Sequence, residues 1–130
     1  MEIEIATVRH PVLVVDDDPI VRAMIRQALE DEGIPVVTAS DGRQALEEAD
    51  RVHPRLVILD VSLPVLPGEA VANQMRQMLS NEPLQIMAIT ADGRPAEKAR
   101  ALGAFAYLAK PFDVDELVEI VRRGLHGFPD

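Results

Sequence analysis

Apolar residues in this chain gather into five short runs, each followed by a stretch where they recur every three or four positions. The runs are Val12-Leu13-Val14-Val15, Val36-Val37-Thr38-Ala39, Leu56-Val57-Ile58-Leu59, Leu84 to Ile89, and Phe105 to Leu108. Runs this short, rich in β-branched residues and leucine, read as strands buried on both faces. The intervening stretches read as helices. Asp18-Pro19 is a helix start, with an acid at the N-cap and proline at the first helical position. Ile20, Val21, Met24, Ile25, Ala28 and Leu29 follow at helical spacing, and Gly33 closes the helix. Ser40-Asp41-Gly42 turns the chain into a second helix carrying Ala45, Leu46 and Ala49, which His53-Pro54 breaks. Pro64, Pro67 and Gly68 mark a loop, after which Val71, Met75, Met78 and Leu79 supply one face of a third helix. Pro95 to Leu102 predicts a short fourth helix closed by Gly103, and Val114, Leu117, Val118 and Val121 line a fifth.

Strict alternation of strand and helix predicts an α/β fold, with a mostly parallel sheet covered on both faces by helices. A chain of 130 residues fits one domain with a proper core. Residues 1–10 are expected to form a short leader, 11–126 the domain, and 127–130 a short tail. No internal repeat or linker interrupts the pattern. The five methionines fall mostly at core-type spacing and need no cofactor.

The polar residues at the ends of the apolar runs carry the chemistry. The first run leads straight into Asp16-Asp17-Asp18, and the third into Asp60. Ligands of open α/β sheets bind just beyond the carboxyl ends of the strands, so Asp16, Asp17 and Asp60 are expected to converge on one rim. Three carboxylates in one small volume raise each other's pKa unless a cation sits among them. An all-oxygen set of this kind suits Mg²⁺, which takes a couple of carboxylates and keeps several waters. Ser62, Thr90 and Lys110 follow strands three, four and five on the same rim. Lys110 can pair with an acid or neutralise charge on a phosphoryl oxygen, and the Thr90 hydroxyl can donate to another. Together they suggest phosphoryl transfer to an aspartate of the protein.

Composition narrows the field. Absence of cysteine excludes disulfides, thiolate metal sites and cysteine nucleophiles. A net charge of −9 argues against direct nucleic-acid binding, which needs a basic patch. No apolar run approaches the roughly 18 residues that span a bilayer. The start, Met1-Glu2-Ile3-Glu4, lacks signal-peptide character, so a cytoplasmic protein with no membrane contact is expected. His10, His53 and His126 are scattered, without ligand spacing, and are expected at the surface.

The motifs VLVVDDDP, LVILDVSLP, ITA and YLAKPF, in this order and at these spacings, resemble the receiver domain of bacterial two-component response regulators. The resemblance spans roughly residues 11–126 and points to the stand-alone, chemotaxis-regulator-like type. It implies a flavodoxin-like, doubly wound (βα)5 three-layer sandwich with parallel strand order 2-1-3-4-5. Asp60 would then be the phosphoacceptor for a histidine kinase or histidine phosphotransfer protein. Asp17 would ligate Mg²⁺ directly, Asp16 would hold metal-bound water, and the Ser62 backbone carbonyl would complete the site. Thr90 would move onto the phosphoryl group, Lys110 would pair with it, and Tyr107 would rotate on activation. The resemblance also implies a cis Lys110-Pro111 bond. Output would pass to a downstream protein through the fourth helix, fifth strand and fifth helix, from a monomer or a phosphorylation-dependent homodimer. Such a domain is a signalling switch whose only catalysis is its own phosphotransfer and autodephosphorylation.

Two features depart from the family pattern. Pro67 stands before Gly68 where many receivers carry Asp or Asn, and the Thr90–Lys110 interval is slightly short near the fourth helix. Three other readings compete: a Mg-dependent phosphohydrolase working through an aspartyl-phosphate, a binding module that no longer takes phosphate, and the receiver part of a hybrid kinase or multidomain regulator. Such hydrolases place a second aspartate two residues after the nucleophile, where this chain has Ser62.

Overall fold

The computed structural model describes residues 10–63, 66–91 and 93–126. The expected leader, apart from His10, and the expected tail lie outside them. Strands β1 (Val12–Val15), β2 (Val36–Ala39), β3 (Leu56–Asp60), β4 (Gln85–Thr90) and β5 (Ala106–Ala109) alternate with five helices. These are α1 (Pro19–Glu30), α2 (Gly42–Val52), α3 (Gly68–Met78), α4 (Pro95–Leu102) and α5 (Val114–His126). All strand pairs are parallel, in the order β2-β1-β3-β4-β5. This is the doubly wound, flavodoxin-like arrangement that the family resemblance implies.

Alternation along each strand builds two cores. Leu13, Val15, Val57, Leu59, Ile86 and Ala88 face α2, α3 and α4, where Ala45, Ala49, Val71, Met75, Ala99 and Leu102 meet them. Val12, Val14, Leu56, Ile58, Met87 and Ile89 face the other way, onto Ile25 and Leu29 of α1 and Leu117 and Val121 of α5. Every residue of β1 and β3 is buried, as central parallel strands require. Fully burying one such Leu, Ile or Val stabilises the fold by about 1.5–3 kcal/mol.

Local signals set the helix ends. Asp18 Oδ1 accepts from the Ile20 N–H at 2.8 Å, and Asp41 Oδ1 from the Gln44 N–H at 2.9 Å, capping α1 and α2. Gly103, at φ 68°, takes the left-handed conformation that closes α4. Gly33 lies a turn beyond the end of α1, in the left-handed region at φ 80°. The Lys110-Pro111 bond is cis.

Several sequence expectations shift. Pairing continues through Asp60↔Ile89 and Thr90↔Ala109, so Asp60 and Thr90 are the last rungs of their strands and not residues beyond them. Leu84 and Phe105 fall just outside β4 and β5. The stripe on α1 is narrower than its spacing suggests. Ile25 and Leu29 are buried, whereas Ile20 is 77% exposed and Met24 40%. On α3, Ala72 faces the core and Met78 is exposed. Among the described residues, the methionines therefore divide between core (Met75, Met87) and surface (Met24, Met78). Among the histidines, His10 and His53 are half-buried and meet one another. His10 Nδ1 lies 2.8 Å from the His53 carbonyl oxygen, and the His53 ring pairs with Glu82. That contact joins residues 43 apart in sequence, which no local spacing could announce.

Candidate phosphoryl-transfer site

The carboxyl ends of β1, β3, β4 and β5 meet at one rim. Asp16, directly after β1, is fully buried, and Asp60, the last residue of β3, is 3% exposed. Asp17 stands exposed beside them. One carboxylate oxygen from each of Asp16, Asp17 and Asp60 lies within 4.8 Å of the others, as the strand-end argument predicts.

Lys110, just past β5, reaches into this group. Its Nζ donates to Asp60 Oδ2 at 3.0 Å and lies 2.8 Å from Asp16 Oδ2. The second contact is an ion pair outside hydrogen-bond geometry, so Asp16 Oδ2 is a buried acceptor without a hydrogen-bond donor. Burial pushes the Asp16 carboxyl above its ordinary range, and the nearby Asp60 charge adds to this. Lys110 and the Asp18 backbone N–H, which donates to Asp16 Oδ1 at 2.9 Å, act against the rise without cancelling it. For Lys110, burial alone would lower the pKa, but the two carboxylates outweigh it and raise the ammonium above its ordinary value. The three acids are thus only partly neutralised by the protein's own cation.

Backbone ties hold the loops. The Ser62 N–H donates to Asp60 Oδ1 at 2.9 Å, setting the turn that follows β3. The Val61 N–H reaches the Ile89 carbonyl at 3.0 Å, and the Lys110 N–H the Thr90 carbonyl at 2.8 Å. Gly68 packs so closely on Val61 that an added Cβ would lie 3.0 Å from its Cα, so the loop returns against its own origin. Thr90 is fully buried at the end of β4, next in the sheet to β3. Tyr107 stands apart: it is 45% exposed on β5, an edge strand, outside the acidic cluster.

Sequence reasoning passed over Arg22. Its Nη1 donates to the Asp16 backbone carbonyl at 2.8 Å. A signal for it existed, since a cation near a helix N-terminus opposes the helix dipole and needs another reason to be there.

The donor set fits a hard divalent cation. It offers carboxylate oxygens only, one of them buried and short of a hydrogen-bond donor, and no imidazole or thiolate that would favour a softer metal.

Comparisons with known proteins agree with this geometry. The family model for the response regulator receiver domain matches residues 12–122. An uncharacterized 14.6 kDa protein of Leptolyngbya boryana is 38% identical over 91% of this chain and 92% of its own length. The regulatory protein AtoC of Escherichia coli is 36% identical over 92% of this chain, which spans only 26% of AtoC. Among solved structures, chemotaxis protein CheY4 of Vibrio cholerae superposes with a TM-score of 0.79 at 33% identity, covering 88% of this chain and 97% of that one. Response regulator TrrA of Thermotoga maritima, solved with Mg²⁺ and BeF, gives 0.76 at 32% identity, covering 88% and 98%. No helix among the described residues is long and apolar enough to cross a membrane. The phosphohydrolase reading is not favoured, and the chain belongs to the response regulator receiver domain family, whose members are phosphorylation-activated signalling switches.

Proposed function

We propose that Asp60 is the residue that accepts the phosphoryl group, from a histidine kinase or a histidine phosphotransfer protein. The observation that carries this is the position of Asp60: a nearly buried carboxylate at a strand end, hydrogen-bonded to Lys110 and grouped with Asp16 and Asp17. A carboxylate oxygen of Asp60 attacks phosphorus, the bond to the donor imidazole nitrogen breaks, and that nitrogen keeps the electron pair. Lys110, already on Asp60 Oδ2, is placed to hold negative charge on the transferred group. Thr90, one strand away, supplies a hydroxyl to another phosphoryl oxygen.

Asp16, Asp17, Asp60 and the Ser62 backbone carbonyl are the residues that would hold Mg²⁺. When bound, that ion offsets the repulsion between an anionic donor and three carboxylates. Hydrolysis of the aspartyl-phosphate by the protein itself resets the switch. Output runs from Thr90 through Tyr107 to the face made by α4, β5 and α5, where a downstream protein binds.

The test is mass spectrometry after incubation with acetyl phosphate and Mg²⁺. The wild type gains one phosphoryl mass, Asp60→Asn gains none, and EDTA abolishes the gain. Undiminished labelling of Asp60→Asn would overturn the assignment.

A further inference from the structure

Asp17 is the exposed member of the acidic trio, and the contacts that order its neighbours pass it by. Asp16 is held by burial, by its backbone N–H on the Ala39 carbonyl at 3.2 Å, and by the turn from its Oδ1 to the Asp18 N–H. Asp18 is held by its cap on Ile20. Between them, the Asp16–Asp17 peptide is anchored at its carbonyl, which accepts from Arg22 Nη1 at 2.8 Å. A peptide unit is planar, so fixing its oxygen fixes the plane and with it the direction in which the Asp17 Cα leaves. Arg22 is itself half-buried one turn into α1. Its backbone N–H also joins the helix ladder, donating to the Asp18 carbonyl at 3.0 Å. The helix and the loop before it are thus tied to one another at both ends of a single residue.

We infer that Arg22 is a positioning residue for the metal site, orienting the Asp16–Asp17 peptide so that the Asp17 carboxylate faces Asp16 and Asp60. This rests on the reading of that cluster as a Mg²⁺ site. Arg22 touches neither ion nor phosphoryl group; it acts through the backbone that carries a ligand. Groups that orient metal ligands are worth about 10–100-fold in affinity. Because the turn at Asp16 and the cap at Asp18 remain, the low end applies, and loss of the guanidinium should weaken Mg²⁺ binding about tenfold.

Arg22→Met keeps an apolar stem for packing and removes the donor; Arg22→Lys restores one. Arg26→Ala, an exposed arginine one turn further along α1 whose partner is Glu30, is the control. Mg²⁺ affinity is measured directly, by following backbone amide resonances of the unphosphorylated protein during titration. Acetyl phosphate labelling is then measured across Mg²⁺ concentrations, and thermal melting reports on folding. Arg22→Met should shift the Mg²⁺ midpoint about tenfold in both assays, with the labelling rate at saturating Mg²⁺ close to wild type. Arg22→Lys should recover much of the loss, and Arg26→Ala should match wild type. A purely structural role would lower the melting temperature and leave the Mg²⁺ midpoint in place. If Arg22→Met binds Mg²⁺ within twofold of wild type while Asp17→Asn does not bind, the positioning role is wrong and the metal site stands. Failure of the wild type itself to bind would instead bring down the site reading, and this inference with it.

Discussion

The centre of the sheet and its β4–β5 edge are built to different standards. All nine residues of β1 and β3 are buried, and the two acids at their ends, Asp16 and Asp60, are nearly as inaccessible as Val15 and Leu59 before them. At the edge, β5 buries one of its four residues. Tyr107 and the neighbouring Phe105 are 45% and 38% exposed. Helix α4 has only eight residues, and its N-cap, Arg94, makes no side-chain capping bond. Phosphoryl chemistry needs carboxylates held without motion, because a misplaced nucleophile loses the benefit of proximity. A readout needs the opposite, an element with few buried contacts that can settle into a second packing. Thr90 and Lys110 belong to both regions: the Lys110 N–H bonds the Thr90 carbonyl, and the Lys110 ammonium bonds Asp60.

The contrast should show first in stability. Ile58, in the middle of β3, is fully buried in the core facing α1 and α5. Ile58→Ala should cost about 2–5 kcal/mol in urea unfolding, the usual loss for emptying such a position. Tyr107→Ala at the edge should stay within about 0.5 kcal/mol, as surface substitutions do. Equal losses would mean that the edge is as tightly packed as the centre.

The acidic site gives a second, smaller effect, with a sign that can be worked out. A carboxyl whose folded pKa is raised favours the fold below its unfolded value, and that advantage disappears as pH climbs through the folded value. For Asp16 this places a cost on the metal-free protein at neutral pH, where a fully buried carboxyl must ionise. Mg²⁺ at a hundredfold excess over its Kd should raise stability by about 2.7 kcal/mol. Asp16→Asn should melt at a higher temperature than wild type without Mg²⁺ at pH 7, and lose most of the Mg²⁺ response. Lys110, also raised, contributes stability that is complete below the ordinary lysine value and fades as pH rises through its folded value. The alkaline limb of the stability curve should therefore flatten in Lys110→Met. A lower melting point for Asp16→Asn in metal-free buffer would show that the ion pair with Lys110 outweighs the cost of burial.

Much of this was legible from the order of residues, for reasons that are local. Apolar runs ending in Asp16, Asp60, Thr90 and near Lys110 mark strand ends, and a parallel sheet leaves only one rim on which those ends can meet. Caps such as Asp18 and Asp41 are read within three residues of their partners. What local pattern could not supply was how each amphipathic helix is rotated. Ile20, Met24 and Met78 satisfy helical spacing, yet packing turns them to solvent, and Ala72 takes an inward place. The side chain to backbone contact of His10 with His53 joins residues 43 apart, depends on tertiary geometry and leaves no periodic trace.

A phosphoryl group at the rigid centre should be read out at the loosely built edge. Phosphorylation adds about −1.5 to −2 charges. That charge should draw on Lys110 and Thr90 and bias the edge toward a second packing. Hydrogen exchange of the protein with and without Mg²⁺ and beryllofluoride, the fluoride standing in for the phosphoryl group, measures this directly. Exchange should change around Asp60 and across residues 93–125, most at Tyr107 and α5, with β1 and β2 unaltered. Changes confined to the loop after Asp60, with Tyr107 and α5 exchanging as before, would contradict the account.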